Sequence, residues 1–392
     1  RGVMNAFIGA GNCNISHICD VDSRVLTNIS NELKSGGHQA PKTSDDIRRT
    51  LEDSSLDALV IAAPDHWHTP AAIMAMQAGK HVYVEKPCSH NPHEGELLVQ
   101  AQKKYDKVVQ MGNQQRSSLE TLELISKIRA GELGEIYKAD TWYANDRKSI
   151  GNGEKVTPPE WLNWDLWQGP APRRDYMSNY VHYNWHWFWH WGTAEVSNNG
   201  AHELDIARWA MHVDYAHKVS TSASRRFYSD DDWQMYDTMQ ARFEFAGGKE
   251  ITWEGHSCNR ALKYGRGRGT LLYGTKGTVI ADRSGYEIYD LAGTLIHSSK
   301  IKAYNQDTSD LVGAGPLTFN HAKNFLNAVR DSSRNYSPID EGHKSTLMCQ
   351  LANIAYQTGE EVICDPTNGR AKGKAAQKLW QRDYQKGWEV KV

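Results

Sequence analysis

One short run constrains this chain more than any other: His81-Val82-Tyr83-Val84-Glu85-Lys86-Pro87, an apolar stretch that ends in a carboxylate, an ammonium and a proline. β-Branched and aromatic residues over His81 to Val84 predict a strand, and Pro87 cannot continue its ladder. Helical patterns flank the run. Thr69 to Ala78 is one, with Thr69 as cap, Pro70 in the first turn and Gly79 as stop. Glu94 to Tyr105 is the other. The alternation extends to apolar runs at Val3 to Ile8, Ile15 to Asp20, Leu56 to Ala63 and Val108 to Met111. Strands alternating with helices predict a parallel, doubly wound sheet. Such sheets bind ligands outside the carboxyl ends of their strands. Lys86 stands at one of those ends, placed to orient a cofactor or polarise a hydroxyl.

Gly9-Ala10-Gly11 follows the first run and reads as the start of a glycine-rich phosphate loop. Asp20 closes the second run, where a dinucleotide-binding fold sets an acid on the adenosine ribose. The spacing between them is wrong. Only Asn12, Cys13 and Asn14 separate Gly11 from Ile15, whereas parallel neighbours need a crossover of roughly a dozen residues. Either a stretch near Asn12 and Cys13 is missing from this sequence, which is the expectation, or the first crossover helix is lost.

A chain of 392 residues is too long for one typical domain. The expected division is a nucleotide-binding domain over 1–115 and a second α+β domain over 116–392. A hydrophobic share of 39% and a mean hydropathy of -0.66 fit a soluble protein, and no apolar run nears the ~18 residues of a membrane span. A net charge of -2 leaves no basic excess for nucleic acid or an anionic membrane. Lys263, Arg266 and Arg268 do cluster, but glycines between them predict a flexible loop. The six cysteines form no CxxC pair and read as free thiols. The chain starts at Arg1 with no initiator Met and no signal-peptide pattern. A missing N-terminal segment is therefore expected, with the compartment open between cytoplasm and periplasm.

Taken in order, Gly9-Ala10-Gly11, Cys19-Asp20-Val21-Asp22, Ala63-Pro64-Asp65-His66-Trp67-His68 and Gly79 to Pro87 resemble the Gfo/Idh/MocA oxidoreductases, the relatives of glucose–fructose oxidoreductase and inositol dehydrogenase. Trp164 to Pro172 resembles that family's interdomain segment, and Asn199-Gly200-Ala201-His202-Glu203-Leu204-Asp205 its catalytic-histidine helix. The resemblance implies a Rossmann domain followed by a domain with a large, mostly antiparallel sheet. It implies NAD, or NADP, and a sugar, cyclitol or glycoside substrate. It assigns cofactor contacts to Gly9, Gly11, Asp20, Pro64, Asp65, His68, Glu85, Lys86, Asn113, Gln115 and Trp167. Lys86 and His202 become the catalytic pair, and Asp205 is placed towards the substrate. Asp20 favours NAD, because a carboxylate repels a 2′-phosphate. One departure concerns the residue four before the histidine: the family often has Asp there, and this chain has Asn198. Asn orients a ring without charging its surroundings.

Tyr183 to Trp191 reads Tyr-Asn-Trp-His-Trp-Phe-Trp-His-Trp. If extended, it sets Trp185, Trp187, Trp189 and Trp191 on one face. That face suits a carbohydrate platform with His186 and His190 bonding hydroxyls, or equally an interface, where Trp is also enriched. Histidine spacings at 66/68 and 182/186/190 are tolerable for metal ligands, but no carboxylate or cysteine pattern joins them, so no metal is expected.

In the second half, Leu119 to Ala130 reads as an amphipathic helix, and Ile136 to Tyr143 opens the second sheet. Val219–Ser224, Tyr236–Ala246, Lys249–His256, Gly269–Gly274 and Gly277–Asp282 supply further strands. The closing helices are His321 to Val329 and His343 to Thr358. Lys378 to Val392 carries no motif. A free sheet face makes a homodimer or homotetramer the expectation.

Three functions stay open. The first is an NAD(P)-dependent oxidoreductase on a carbohydrate CH–OH. The second is an NAD-dependent glycosidase or lyase working through a transient keto-sugar. The third is a non-catalytic sugar- or nucleotide-binding protein.

Overall fold

The computed structural model describes residues 1–301 and 315–392. The N-terminal part runs α1 (Gly2–Ala10), β1 (His17–Cys19), α2 (Ser23–Ser35), β2 (Lys42–Ser44), α3 (Ile47–Leu51), β3 (Ala58–Ile61), α4 (Asp65–Gln77), β4 (His81–Val84), α5 (Pro92–Tyr105) and β5 (Val109–Met111). All strand pairs here are parallel, in two separate sheets, β1–β2 and β3–β4–β5. The edges of β1 and β3 line one cavity of about 1380 Å³.

The expected strand over Val3 to Ile8 is a helix. The three residues after Gly11 cannot carry a parallel crossover. As a helix, Val3, Ala6 and Phe7 share one face and bury it against Tyr83, Ala322 and Phe325. The helix after β3 also departs from expectation. It begins at Asp65, so Thr69 and Pro70 lie in its second turn, and Thr69 bonds Cys88 O instead of capping.

A short 3-10 turn, Gln114–Ser117, leads into α6 (Leu119–Arg129), β6 (Ile136–Ala144), α7 (Trp164–Gln168), α8 (Ala201–Met211), β7 (Lys218–Ser224), β8 (Thr238–Glu244), β9 (Glu250–His256), β10 (Arg268–Gly274), β11 (Thr278–Asp282), β12 (Gly285–Tyr289) and β13 (Leu295–Lys300). The chain closes with α9 (Pro316–Asp331), α10 (Ile339–Thr358), β14 (Val362–Ile363) and α11 (Lys374–Lys378). Nine strands form one sheet in the order β13-β12-β11-β10-β6-β9-β8-β7-β14, antiparallel except for β6–β9. Alternation decides which face is covered. Met239, Ala241 and Phe243 of β8 are buried, while Gln240 and Arg242 between them are exposed. Helices α8 and α10 cover the apolar face, with Leu204, Ala207, Leu351 and Ala355 in the same core as Ile251, Trp253 and Leu272.

The basic cluster is ordered, not a flexible loop. Arg266 pairs with Asp282 and Glu287, and Arg268 opens β10 against Glu203. The C-terminal tail is a strap. Trp388, Val390 and Val392 pack on the N-terminal core, and Gln385 N donates to Pro170 O at 2.9 Å. No helix among the described residues is long and apolar enough to cross a membrane.

Candidate active site

The site forms where the carboxyl ends of β3, β4 and β5 meet the turn before α8. Val84 closes β4, so Glu85 and Lys86 leave the sheet at its edge. Both are buried. Glu85 Oε1 accepts from Gln114 Nε2 at 2.9 Å and from the Tyr83 hydroxyl at 3.3 Å. Gly112 is obligatory beside it, since a Cβ there would lie 2.7 Å from the Glu85 carboxylate. Burial raises the Glu85 carboxyl above its ordinary range, with Lys86 opposing.

Lys86 Nζ donates to Asn198 O and, at 3.1 Å, to Asn198 Oδ1. Asn198 belongs to a π-helical turn, Val196–Gly200, that runs directly into α8. π-Turns cluster at functional sites. This one brings His202 to the second position of α8, beside the cations Arg283, Lys86 and Arg268. Burial, then those cations, hold the imidazole well below its usual range, so it is neutral. Burial also lowers the Lys86 ammonium, opposed by Glu85 and Asp65.

Asp65, the first residue of α4, is buried and accepts from Thr193 Oγ1 at 2.5 Å. Burial pushes its carboxyl up to about 7. His68, one turn on, has both ring nitrogens on carbonyls, Nδ1 to Pro87 O at 2.6 Å and Nε2 to Ala63 O at 2.7 Å. It braces the two strand ends. Trp167 O accepts from His66 Nε2 and Trp67 Nε1, which docks the interdomain segment on α4.

A cavity lies between β1 and β3, beside this site. Asp20, Pro64, Trp167, Trp185 and His186 line it. Asp20, at the carboxyl end of β1, bonds Asp22 N at 2.9 Å. Asn113, beyond β5 and outside the cavity lining, has both carboxamide atoms buried and unpartnered. The strand-end acid suits the adenosine ribose of a dinucleotide, and the orphaned carboxamide is an unpartnered polar group at the carboxyl ends of the strands. The glycines do not join them. Gly9 faces Phe319 and Gly11 caps α1, so the cavity wall there is Asn12, Cys13 and Asn14.

Several expected contacts are engaged elsewhere. Gln115 Nε2 donates to Asp282 O at 3.0 Å. Asp205 is buried against Arg116, at 2.7 Å, and Ser345 Oγ, at 2.6 Å. The Trp platform does not form, because Asn184–Trp187 is a 3-10 turn rather than a strand. Trp187 stacks on Trp233 at 4.0 Å, and Trp191 enters a cluster with Trp164 and Trp167. Trp185 stacks on His186 at 3.6 Å, and His190 Nε2 contacts Pro172 O at 2.7 Å.

Glu195 and Arg147 were absent from the sequence reading. Arg147 Nε meets Glu195 Oε2 at 2.6 Å and its Nη1 meets the Tyr183 hydroxyl at 2.8 Å. Forty-eight residues separate the pair, so no local pattern announces it.

The profile of the oxidoreductase family with an NAD-binding Rossmann fold matches residues 4–113, and that of the family's C-terminal alpha/beta domain matches 141–390. A glycosyl hydrolase family 109 protein from Saccharopolyspora erythraea is 26% identical over 189 residues, which is 45% of this chain and 41% of that protein. The chain thus matches less than half the length of that curated relative. Two solved structures share the fold. The WlbA dehydrogenase from Bordetella pertussis, solved with NADH and UDP-GlcNAcA, has a TM-score of 0.66 at 18% identity, over 92% of this chain and 93% of that one. The myo-inositol 2-dehydrogenase from Lactobacillus plantarum has 0.65 at 17% identity, over 93% and 95%. Residues 4–113 form an NAD-binding Rossmann domain, and the chain belongs to the Gfo/Idh/MocA oxidoreductase family.

Proposed function

We propose that this protein oxidises a secondary hydroxyl of a sugar, cyclitol or glycoside. The observation that carries this reading is the convergence of Lys86 and the Asn198–His202 segment at the carboxyl ends of β3, β4 and β5. Asp20 and Asn113 would hold the two ends of NAD, with Pro64, Asp65 and Glu85 along the strand ends. NAD, when bound, takes the hydride of the carbinol carbon. The hydroxyl proton must leave at the same time. Burial and the neighbouring cations keep His202 neutral, the form that can take a proton. The Lys86 ammonium stabilises negative charge developing on the oxygen. Asn198 holds that ammonium without neutralising it.

The test is a panel of mono- and disaccharides with NAD and NADP, read by nicotinamide absorbance. Accumulating NADH with one sugar class supports the reading, and no turnover with any of them defeats it. The glycosyl hydrolase name of the partial relatives favours a second reading, in which a transient keto-sugar eliminates its aglycone. Aglycone release without net NADH would select it.

A further inference from the structure

Lys86 is held by a side chain that carries no charge, and the amide of Asn198 has two ends. Only its oxygen can face an ammonium, so a neighbour must choose the orientation. Glu195 does so. Asn198 Nδ2 donates to Glu195 Oε1 at 3.4 Å and Asn199 Nδ2 donates to the same oxygen at 2.6 Å. A carboxylate only accepts, so it takes the NH2 end and leaves Oδ1 for Lys86. Glu195 is 2% exposed, and Arg147 grips both its oxygens, at 2.6 and 3.2 Å. Burial works to raise its carboxyl; the charge and hydrogen bonds of Arg147 overcome this and keep it below its ordinary range. The ion pair is itself fixed by the Tyr183 hydroxyl and by the Trp187 ring, 4.8 Å from the guanidinium.

We propose that Glu195 is a positioning residue for Lys86: it sets the amide of Asn198 and supplies the negative charge that Asn198 lacks. The proposal rests on the catalytic reading of Lys86 given above. The charged and titratable groups facing Lys86 include Glu85 and Asp65 from the Rossmann domain, Arg268 from β10, Glu195 from the turn before α8, His202 from α8, Cys349 from α10, and His68 and His186. Among these Glu85, Asp65 and then Glu195 oppose the loss of the Lys86 proton. Removing the Glu195 charge therefore moves the titration of Lys86 to lower pH.

The experiment uses the full chain with two readouts. The first needs no substrate: the pH dependence of acetylation of Lys86 by acetic anhydride, read by peptide mass against exposed lysines. Glu195→Gln is expected to lower the midpoint by about one pH unit. The second is the pH profile of kcat with whichever sugar turns over. Its alkaline limb should shift the same way while KM holds, since only the ammonium's population changes. An unshifted midpoint in folded Glu195→Gln protein overturns the proposal. If that variant does not fold, Glu195→Asp keeps a charge for Arg147 and withdraws it from Asn198 by one methylene. A smaller fall in the midpoint is then expected, and no fall in either readout overturns the proposal equally. Absence of turnover with a shifted midpoint defeats the functional reading alone. Turnover with an unshifted midpoint defeats the Glu195 proposal alone.

Discussion

The guanidinium of Arg382 donates at 2.6 Å to the carbonyl of His66, the helix acceptor that Pro70, four residues on, has no N–H to reach. The same side chain donates from Nε to Glu94 Oε1 at 2.8 Å, and Glu94 is fully buried. A strap residue thus repairs a helix in the Rossmann domain and neutralises a carboxylate inside it. Arg382→Met should cost about 3 kcal/mol, because it removes the cation from a buried carboxylate and leaves it with the Tyr384 hydroxyl and the His90 N–H. Urea unfolding checks this, and a loss below about 1 kcal/mol would mean that the Tyr384 hydroxyl and the His90 N–H suffice for Glu94.

Gly169 sits at φ +45° in the interdomain segment, and a Cβ there would lie 2.0 Å from Trp67 Cζ2. Trp67 cannot retreat freely, since its ring contacts Trp388 at 5.3 Å and its Nε1 donates to Trp167 O at 2.9 Å. Gly169→Ala should therefore destabilise by at least about 2 kcal/mol and loosen the strap. Limited proteolysis near Trp388 reads the loosening. Unchanged cleavage and stability would place the seam's rigidity elsewhere.

Acid should destabilise this protein before its carboxylates titrate as a group. Burial holds His68, His321 and His343 at about 4 in the fold, against about 6.5 in an unfolded chain. The unfolded state binds these protons first, so stability falls as pH drops from about 6.5 towards 4. Asp65 acts oppositely. Its folded value of about 7 lies above its unfolded one, so its contribution is lost as pH rises through that window. Burial raises Glu85, Glu203 and Asp20 in the same direction as Asp65, but His190, at about 4, and His186, at about 3, join the three histidines, and the lowered imidazoles outnumber the raised carboxyls. Urea midpoints at about pH 7 and pH 5 should differ, with the neutral sample more stable. His343→Gln should flatten the slope.

How much of this could be read from residues alone follows from the range of the interactions. Strand β4 and its Glu85-Lys86-Pro87 ending were legible, because β-branched periodicity and proline act locally. So were His202 and the Asn198 departure, through an ordered motif. The helix at Val3 to Ile8 was misread, since a β-type run becomes helical only when a short connection and the Phe325 face leave no alternative. Tyr183 to Trp191 failed for a related reason: parity arguments assume extension, and the 3-10 turn sends each indole to a different partner. Glu195–Arg147 and Arg382–His66 join residues far apart in sequence and leave no local trace.

Lys86 is the last and sharpest case. If its ammonium stabilises developing negative charge on the substrate oxygen, Lys86→Met should lower kcat by at least about 100-fold. Binding of NADH should change little, because the adenosine end at Asp20 is served by another strand. Nicotinamide fluorescence gives the affinity and a single-turnover assay gives the rate. Lys86→Arg should not rescue. A guanidinium is planar and forked, and two acceptors on one residue, Asn198 O and Oδ1, grip a compact ammonium. If Arg restores the rate, positive charge alone suffices at that place. If Met loses NADH affinity and rate together, Lys86 holds the cofactor instead of the reacting oxygen.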